Sequence, residues 1–226
     1  MNNRLSSFLF SLILVSSFVH AGGVTVGGTR IIYNGEKKEA SLNITSTDIN
    51  PYLIQSWVEP TQDSSQKSPF IITPPLFRIE NNEQNVLRVV RTGGNLPEDR
   101  ESLYWINVKA IPAGNKGDGN NSLQIAINTR IKLIYRPEML TDSPENMAKN
   151  LMWNQSGNLL TVTNPTPYIM NFQSVNVGEY KIKDATYVMP MSEATFTVPD
   201  GISGVISWRI INDYGGIGEV HLSGNH

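Results

Sequence analysis

The segment SLQIAINTRIKLIYRP, Ser122 to Pro137, constrains this chain more than any other stretch. Leu123, Ile125, Ile127, Ile131, Leu133 and Tyr135 fall on one parity, while Gln124, Asn128, Arg130 and Lys132 fall on the other. A period of two belongs to a strand rather than a helix. Leu123 to Tyr135 is about 13 residues, roughly 43 Å at ~3.3 Å per residue, where ordinary strands stop near 10. A strand of that length extends past its own sheet or serves two partners. It reads either as a long core strand of a β-sandwich or as an apolar edge kept open for another chain, because proteins otherwise blunt such edges.

The beginning of the chain carries a different signal. Arg4 gives a positive start, Phe8 to Val19 is apolar with only Ser interruptions, and Val19-His20-Ala21 ends on a small residue before Gly22-Gly23. Residues 1–21 read as a secretory signal peptide, too short in its apolar part to span a bilayer. The expected mature chain begins at Gly22, is exported and is soluble, and its length suits one large or two ordinary domains. The chain has no cysteine. Disulfides, thiol nucleophiles and cysteine metal sites are therefore excluded, and burial alone must stabilise the domains. Of three histidines, His20 lies in the leader and His221 and His226 lie near the C-terminus, a poor basis for a zinc site or a triad. The formal net charge of −2 comes without a basic tract, so nothing suggests nucleic acid. No phosphate loop, G-x-S-x-G elbow or H-E-x-x-H motif occurs, and no carboxylate pair stands out for acid–base work. The chain is expected to be no enzyme and to carry no cofactor.

The rest reads as short β segments divided by Gly, Pro, Asn and Asp. They are Gly23 to Tyr33, Glu39 to Thr45, Tyr52 to Val58, Phe70 to Thr73, Leu76 to Ile79, Val86 to Val90 and Tyr104 to Ile111, then the long strand. After it come Leu159 to Thr163, Tyr168 to Phe172, Thr186 to Val188, Ala194 to Val198, Val205 to Ile211 and Val220 to Leu222. Such spacing is the mark of β-sandwiches. Pro74-Pro75 withholds two ladder donors and marks an edge or a bend, with either proline open to a cis bond. A boundary is expected between Arg136 and Pro144, where Ser143-Pro144-Glu145 resembles a helix N-cap with Pro at the first helical position, followed by a turn or two over Met147 to Leu151. The expected organisation is two all-β domains, 22–140 and 141–226.

Two sets of charges stand out. Three cations are the first candidates, Arg30 in Gly-Thr-Arg-Ile-Ile-Tyr and Arg130 and Lys132 in the long strand, and of these Arg30 and Lys132 each interrupt an apolar strand. If both point into a cleft between domains they repel unless an anion bridges them, and a carboxylate suits that role because Arg grips it bidentately and Lys adds a point charge. The alternative is that each faces water or a local acid. Glu101, Arg136 and Asp213 form the second set, able to lock an interdomain angle if partly buried, or to make ordinary surface pairs if not.

Seven stretches, GGTRIIY (27–33), YLIQSWVE (52–59), PFIITPPLFRIE (69–80), LPEDRESLYWINVKAIP (96–112), LQIAINTRIKLIYRP (123–137), NPTPY (164–168) and INDYGG (211–216), together resemble the periplasmic pilus (fimbrial) assembly chaperones. The resemblance covers nearly the whole mature chain. It implies two immunoglobulin-like domains in a boomerang arrangement. It implies that Arg30 and Lys132 hold the C-terminal carboxylate of a pilus subunit. It implies that Leu123, Ile125 and Ile127 fill the groove of a subunit that lacks one strand, and that Glu101, Arg136 and Asp213 form an interdomain charge network. The implied partners are pilus subunits, bound one to one, and an outer-membrane usher, with a self-capping dimer for the free protein. The short segment Pro112 to Ser122 and the missing cysteines resemble the short-loop branch of that family. Two other classes fit less well: a secreted immunoglobulin-like subunit or adhesin, which gives Arg30 and Lys132 no reason to converge, and a secreted β-sandwich hydrolase, for which no nucleophile or acid–base set stands out.

Overall fold

The computed structural model describes residues 22–61, 67–113 and 123–224. The leader, most of the Pro112 to Ser122 loop and His226 lie outside the described residues. Among the described residues no helix is long and apolar enough to cross a membrane.

Nine strands build the first domain: β1 (Val24–Val26), β2 (Arg30–Asn34), β3 (Glu39–Ser46), β4 (Tyr52–Pro60), β5 (Phe70–Thr73), β6 (Leu76–Ile79), β7 (Gln84–Arg91), β8 (Ser102–Pro112) and β9 (Ile127–Arg136). They form two sheets, β1-β3-β7-β5 and β2-β9-β8-β4-β6. Between them lie Tyr33, Ile44, Ile54, Phe70, Ile79, Leu87, Ile106 and Leu133, all nearly or fully buried. The chain changes sheets at each connection from β1 to β8, and two of these connections are the shortest. Gly27 separates β1 from β2; its N–H donates to the Asn43 carbonyl, and a Cβ there would meet that oxygen at 3.1 Å, a tight fit against β3. Pro74-Pro75 makes the other short crossing, from β5 to β6, with a cis Thr73–Pro74 peptide.

The second domain starts with a helix, α1 (Pro144–Met147), capped by Ser143, whose hydroxyl accepts from the Asn146 N–H at 3.3 Å. A short 3₁₀ turn, Ala148–Asn150, follows. Next come β10 (Met152–Ser156), β11 (Leu159–Asn164), β12 (Met170–Val177), β13 (Tyr180–Lys181), β14 (Tyr187–Val188), β15 (Ser192–Thr197), β16 (Ile206–Ile210) and β17 (His221–Leu222). The sheet β10-β11-β15 faces one built from β13-β12-β16-β17, with β14 beside β12. The core between them holds Leu160, Val162, Met170, Val175, Val198 and Trp208. Leu140 packs against this second core. The strand β10 has no counterpart among the segments expected from the sequence, because Trp153 is the only apolar residue on its inward parity.

The long strand differs from expectation at its start. Its ladder begins at Ile127, not Leu123. The last ladder pair is Ala110 with Ile127, although β8 runs on to Pro112, and residues 123–126 form no ladder. From Lys132 onward β9 lies between β8 and β2; from Ile127 to Ile131 it is bonded to β8 alone.

Both faces of the β9 C-terminal half are covered. Ile131, Leu133 and Tyr135 point into the first core. On the other parity Ile134 is buried with Leu103 and Ile169, and Ile32, Trp105, Tyr187 and Met189 pack around them, joining the domains. Next to this apolar joint stands Arg136. Its Nε donates to Glu101 Oε1 at 2.7 Å, and its Nη1 and Nη2 donate to the two Asp213 oxygens at 2.6 and 2.8 Å. Glu101 Oε2 accepts the Ile169 N–H at 2.7 Å. Glu101 and Asp213 belong to different domains, so one guanidinium bridges them. Burial pushes the Glu101 carboxyl up to about 7, against the pull of Arg136 and the Ile169 N–H. Burial also opposes the Arg136 charge, but hydrogen bonds and charge from Asp213 and Glu101 outweigh it and hold that charge above the ordinary arginine range. Both Glu101 oxygens accept, which is the arrangement of an ionised carboxylate.

Two outcomes follow for urea unfolding. Leu133→Ala should cost about 2–5 kcal/mol, because Leu133 is fully buried, whereas Leu123→Ala should stay within about 0.5 kcal/mol. Arg136→Ala should cost about 3–5 kcal/mol by leaving the side chain of Glu101, 0% exposed, without its cation. A loss under about 1 kcal/mol would mean that water replaces the pair without penalty.

Candidate functional site

The cleft between the domains is lined by the same parity of β9 that carries Ile134 and Arg136. Lys132 lies two residues before Ile134, and in the parallel β2–β9 ladder its partner is Arg30. Adjacent strands stand about 4.8 Å apart, so the two cationic side chains leave the sheet side by side. β2 reaches this place because the chain changes sheets between Val26 and Arg30.

Among the described residues neither cation has an acidic partner in ion-pair contact. Arg30 Nη1 donates to the Ile211 carbonyl at 3.3 Å, and its buried Nε has no acceptor among the described residues. Lys132 Nζ donates to the side-chain oxygen of Asn171 and stands 4.4 Å from the centre of the Tyr187 ring and 5.9 Å from that of Trp105. Burial, and then the charge of Arg30, push the Lys132 ammonium down to about 8. Burial likewise lowers Arg30, with Asp213 acting in the opposite sense. Two half-buried positive groups, one of them with an orphaned donor, make a site for an anion whose oxygens can accept from both. Arg130, the third cation of this region, is satisfied locally: it stacks over Trp105 at 4.4 Å and pairs with Glu59 at 3.6 Å.

A row of exposed apolar groups extends from the cleft along β9. Leu123, Ile125 and Ile127 are 87%, 66% and 65% exposed. They share the parity that points into the core farther along the strand. Ile125 and Ile127 flank a small crevice lined by Val24, Val26, Val108 and Ala110. Next to them, the edge of β9 from Ile127 to Ile131 has unused ladder positions on the side where β2 pairs only from Lys132 onward. Lys132 is nine positions from Leu123, about 30 Å of extended chain. Backbone donors and acceptors, alternate apolar side chains and a paired cationic terminus therefore lie along one line.

The structure thus brings Arg30 and Lys132 together, brings Glu101, Arg136 and Asp213 together, and leaves Leu123, Ile125 and Ile127 exposed in a row. The sequence reading did not identify Asn171, Tyr187, Trp105 and Ile211, which surround the two cations. Their signal was indirect. Ile32 and Ile134 are apolar residues on the parity of the charges, and such a residue marks a second face that is covered.

Comparison with known proteins gives a consistent picture. Residues 23–141 match the family model described as "Pili and flagellar-assembly chaperone, PapD N-terminal domain", and residues 146–221 match "Pili assembly chaperone PapD, C-terminal domain". The probable fimbrial chaperone LpfB of Escherichia coli O157:H7 is 41% identical over 97% of this chain and 96% of its own length. The chaperone protein FimC of Escherichia coli K12 is 43% identical over 92% of this chain and 87% of its own. Among solved structures, the complex of the Salmonella enterica SafA pilin with the SafB chaperone contains a chain that matches with a TM-score of 0.83 and 42% identity, covering 90% of this chain and 96% of that one. With both halves matched and relatives near 40% identity over almost the full length, this chain belongs to the pilus (fimbrial) assembly chaperone family, with its two-domain immunoglobulin-like fold.

Proposed function

We propose that this protein works in the periplasm, after removal of residues 1–21, by lending β9 to a pilus subunit whose own sandwich lacks a strand, and that it then yields the subunit to an outer-membrane usher. The observation that carries this reading is the continuity of the free β9 edge, the exposed Leu123, Ile125 and Ile127, and the two unpaired cations at Arg30 and Lys132. A guest strand added to the edge gains ladder hydrogen bonds that tolerate any sequence, while the alternate side chains fill its pockets. Three aliphatic anchors contribute on the order of 5–9 kcal/mol before the costs of ordering and association. The carboxylate at the end of the guest fixes register, since a slip of one residue would turn every anchor away from its pocket.

In this scheme Arg30 and Lys132 supply an address rather than chemistry. No bond in the guest is made or broken, and release occurs when the strand of the next subunit replaces β9. Without a guest, the same edge suits a second copy of the chain, which is the basis of a self-capped dimer. The complex of the SafA pilin with the SafB chaperone supports pilus subunits as the partner class.

Coexpression in the periplasm with the subunits of its own pilus operon tests the reading. A stable one-to-one complex is expected from the wild type. Arg30→Ala or Lys132→Ala should reduce captured subunit at least about tenfold while the protein remains folded, and Ile125→Asp should do the same by placing a charge in an apolar pocket. Capture at the wild-type level by both cation variants would overturn the carboxylate assignment.

Binding should also depend on pH. Lys132 titrates at about 8 in the free protein, and a bound carboxylate must raise that value. Below pH 8 the lysine is already charged and affinity is flat. Above it the free protein must take up a proton to bind, so affinity falls by up to about tenfold per pH unit until the bound-state value is reached. Calorimetry in buffers of different ionisation enthalpy measures that proton. A flat profile from pH 7 to about pH 10 would remove Lys132 from the binding step.

A further inference from the structure

The three cleft-facing cations on β2 and β9 are treated differently by the second domain. Arg136 receives the Asp213 carboxylate, in addition to Glu101 from its own domain. Lys132 and Arg30 receive groups without charge. Asn171, on β12, offers its amide oxygen to Lys132, and the carbonyl of Ile211 accepts from Arg30. The two acceptors are linked, because the Ile211 N–H donates to the Asn171 carbonyl at 2.7 Å. Asn171 is 4% exposed, and its Nδ2 faces the Ile169 carbonyl at 3.5 Å, which turns Oδ1 toward the lysine. The Tyr187 ring of β14 covers the ammonium from a third direction, and Trp105 of β8 lies behind it. The charged group that faces Lys132 across this arrangement is Arg30, with Asp213 acting on Arg30 from beyond.

We infer that Asn171 is a positioning residue of the second domain that holds Lys132 by a neutral acceptor, so that the ammonium is fixed in place while its charge stays available to a carboxylate guest. The inference rests on the carboxylate reading given above. An amide and a carboxylate at this position have almost the same shape and differ in what they leave behind. The amide dipole orients the lysine and leaves its charge uncancelled. An aspartate would orient it equally well, complete an ion pair and occupy the field that draws in the guest. Tyr187 acts in the same sense, because an aromatic face attracts a cation without neutralising it.

Asn171→Asp separates this role from a purely structural one. The probes are a short peptide of alternating valine and threonine with a free C-terminal carboxylate, and the same peptide ended as an amide. Wild type is expected to prefer the carboxylate form. In Asn171→Asp the preference should collapse, with Kd for the carboxylate peptide raised at least about tenfold and little change for the amide form. At the same time the melting temperature should hold or rise, and the Lys132 side-chain resonances should titrate at higher pH than in wild type, because the buried charge gains a partner. Tyr187→Leu should weaken the carboxylate peptide severalfold, and Tyr187→Phe should restore it.

In the Lys132→Ala background, Asn171→Asp should add no further loss. Retained preference in Asn171→Asp, or an equal loss in the Lys132→Ala background, overturns the positioning role. Failure of wild type to tell the carboxylate peptide from the amide overturns the carboxylate reading itself, and with it this inference. Preference in wild type that survives Asn171→Asp leaves the reading standing and removes only the role of Asn171.

Discussion

The contact that the cleft depends on is the fork of Arg136 against Glu101 and Asp213. Arg136 ends β9, Glu101 precedes β8 in the same sheet, and Asp213 belongs to the turn after β16 in the other domain. A guanidinium holding two carboxylates by three donors is fixed in direction as well as distance. It is seated beside Ile134, Leu103 and Ile169, which exclude water from the same joint. Apolar packing alone would let one domain slide over the other, while the fork alone, exposed to water, would contribute little. Together they place Ile211 and Asn171 against Arg30 and Lys132 in a defined geometry.

Charge along β9 is arranged in sequence. Arg130 is spent on Trp105 and Glu59 at the surface, Lys132 is held by uncharged groups, and Arg136 is neutralised by acids. These positions share one parity of one strand, so a single run of alternation sets them all on the same side. Burying an ammonium beside an arginine without an acid is unfavourable, and its lowered titration reports that cost. A fold selected only for stability would place an acid at Asn171. The neutral residue is intelligible once the free protein is regarded as half of a complex, with the missing negative charge on the other half.

Much of this was legible in the sequence, and the reason is local. Alternation in Leu123 to Tyr135 is written in consecutive residues, as are the Ser143-Pro144 cap and the paired prolines at the crossing between sheets. Cations inside apolar strands, Arg30 and Lys132, stand out for the same reason. The start of the β9 ladder was not legible, because the alternation runs back to Leu123 while the pairing with β8 stops at Ile127, a matter of pairing and not of composition. Nor were Asn171 and Tyr187, which are ordinary residues of their own strands and become part of the cleft only when the domains dock. β10 escaped because one tryptophan carries its inward face. Ile32 and Ile134 were the available clue to the joint: isoleucine between charges on a nominally solvated face requires a cover.

Along β9 the surroundings change from solvent to protein within a short distance. Residues 123–126 touch no ladder, Ile127 to Ile131 are paired with β8, and Lys132 to Tyr135 are paired on both sides and covered on both faces. A strand rigid over its whole length would need a guest that fitted at once; a strand loose throughout would not set register. On the proposed reading, a guest carboxylate is located first at the cations and its chain is then added to the edge toward Leu123, each new pair forming next to one already in place. The order of pairing is thereby coupled to the order of stiffness, and an exposed apolar edge that would otherwise invite indiscriminate pairing acquires a fixed starting point.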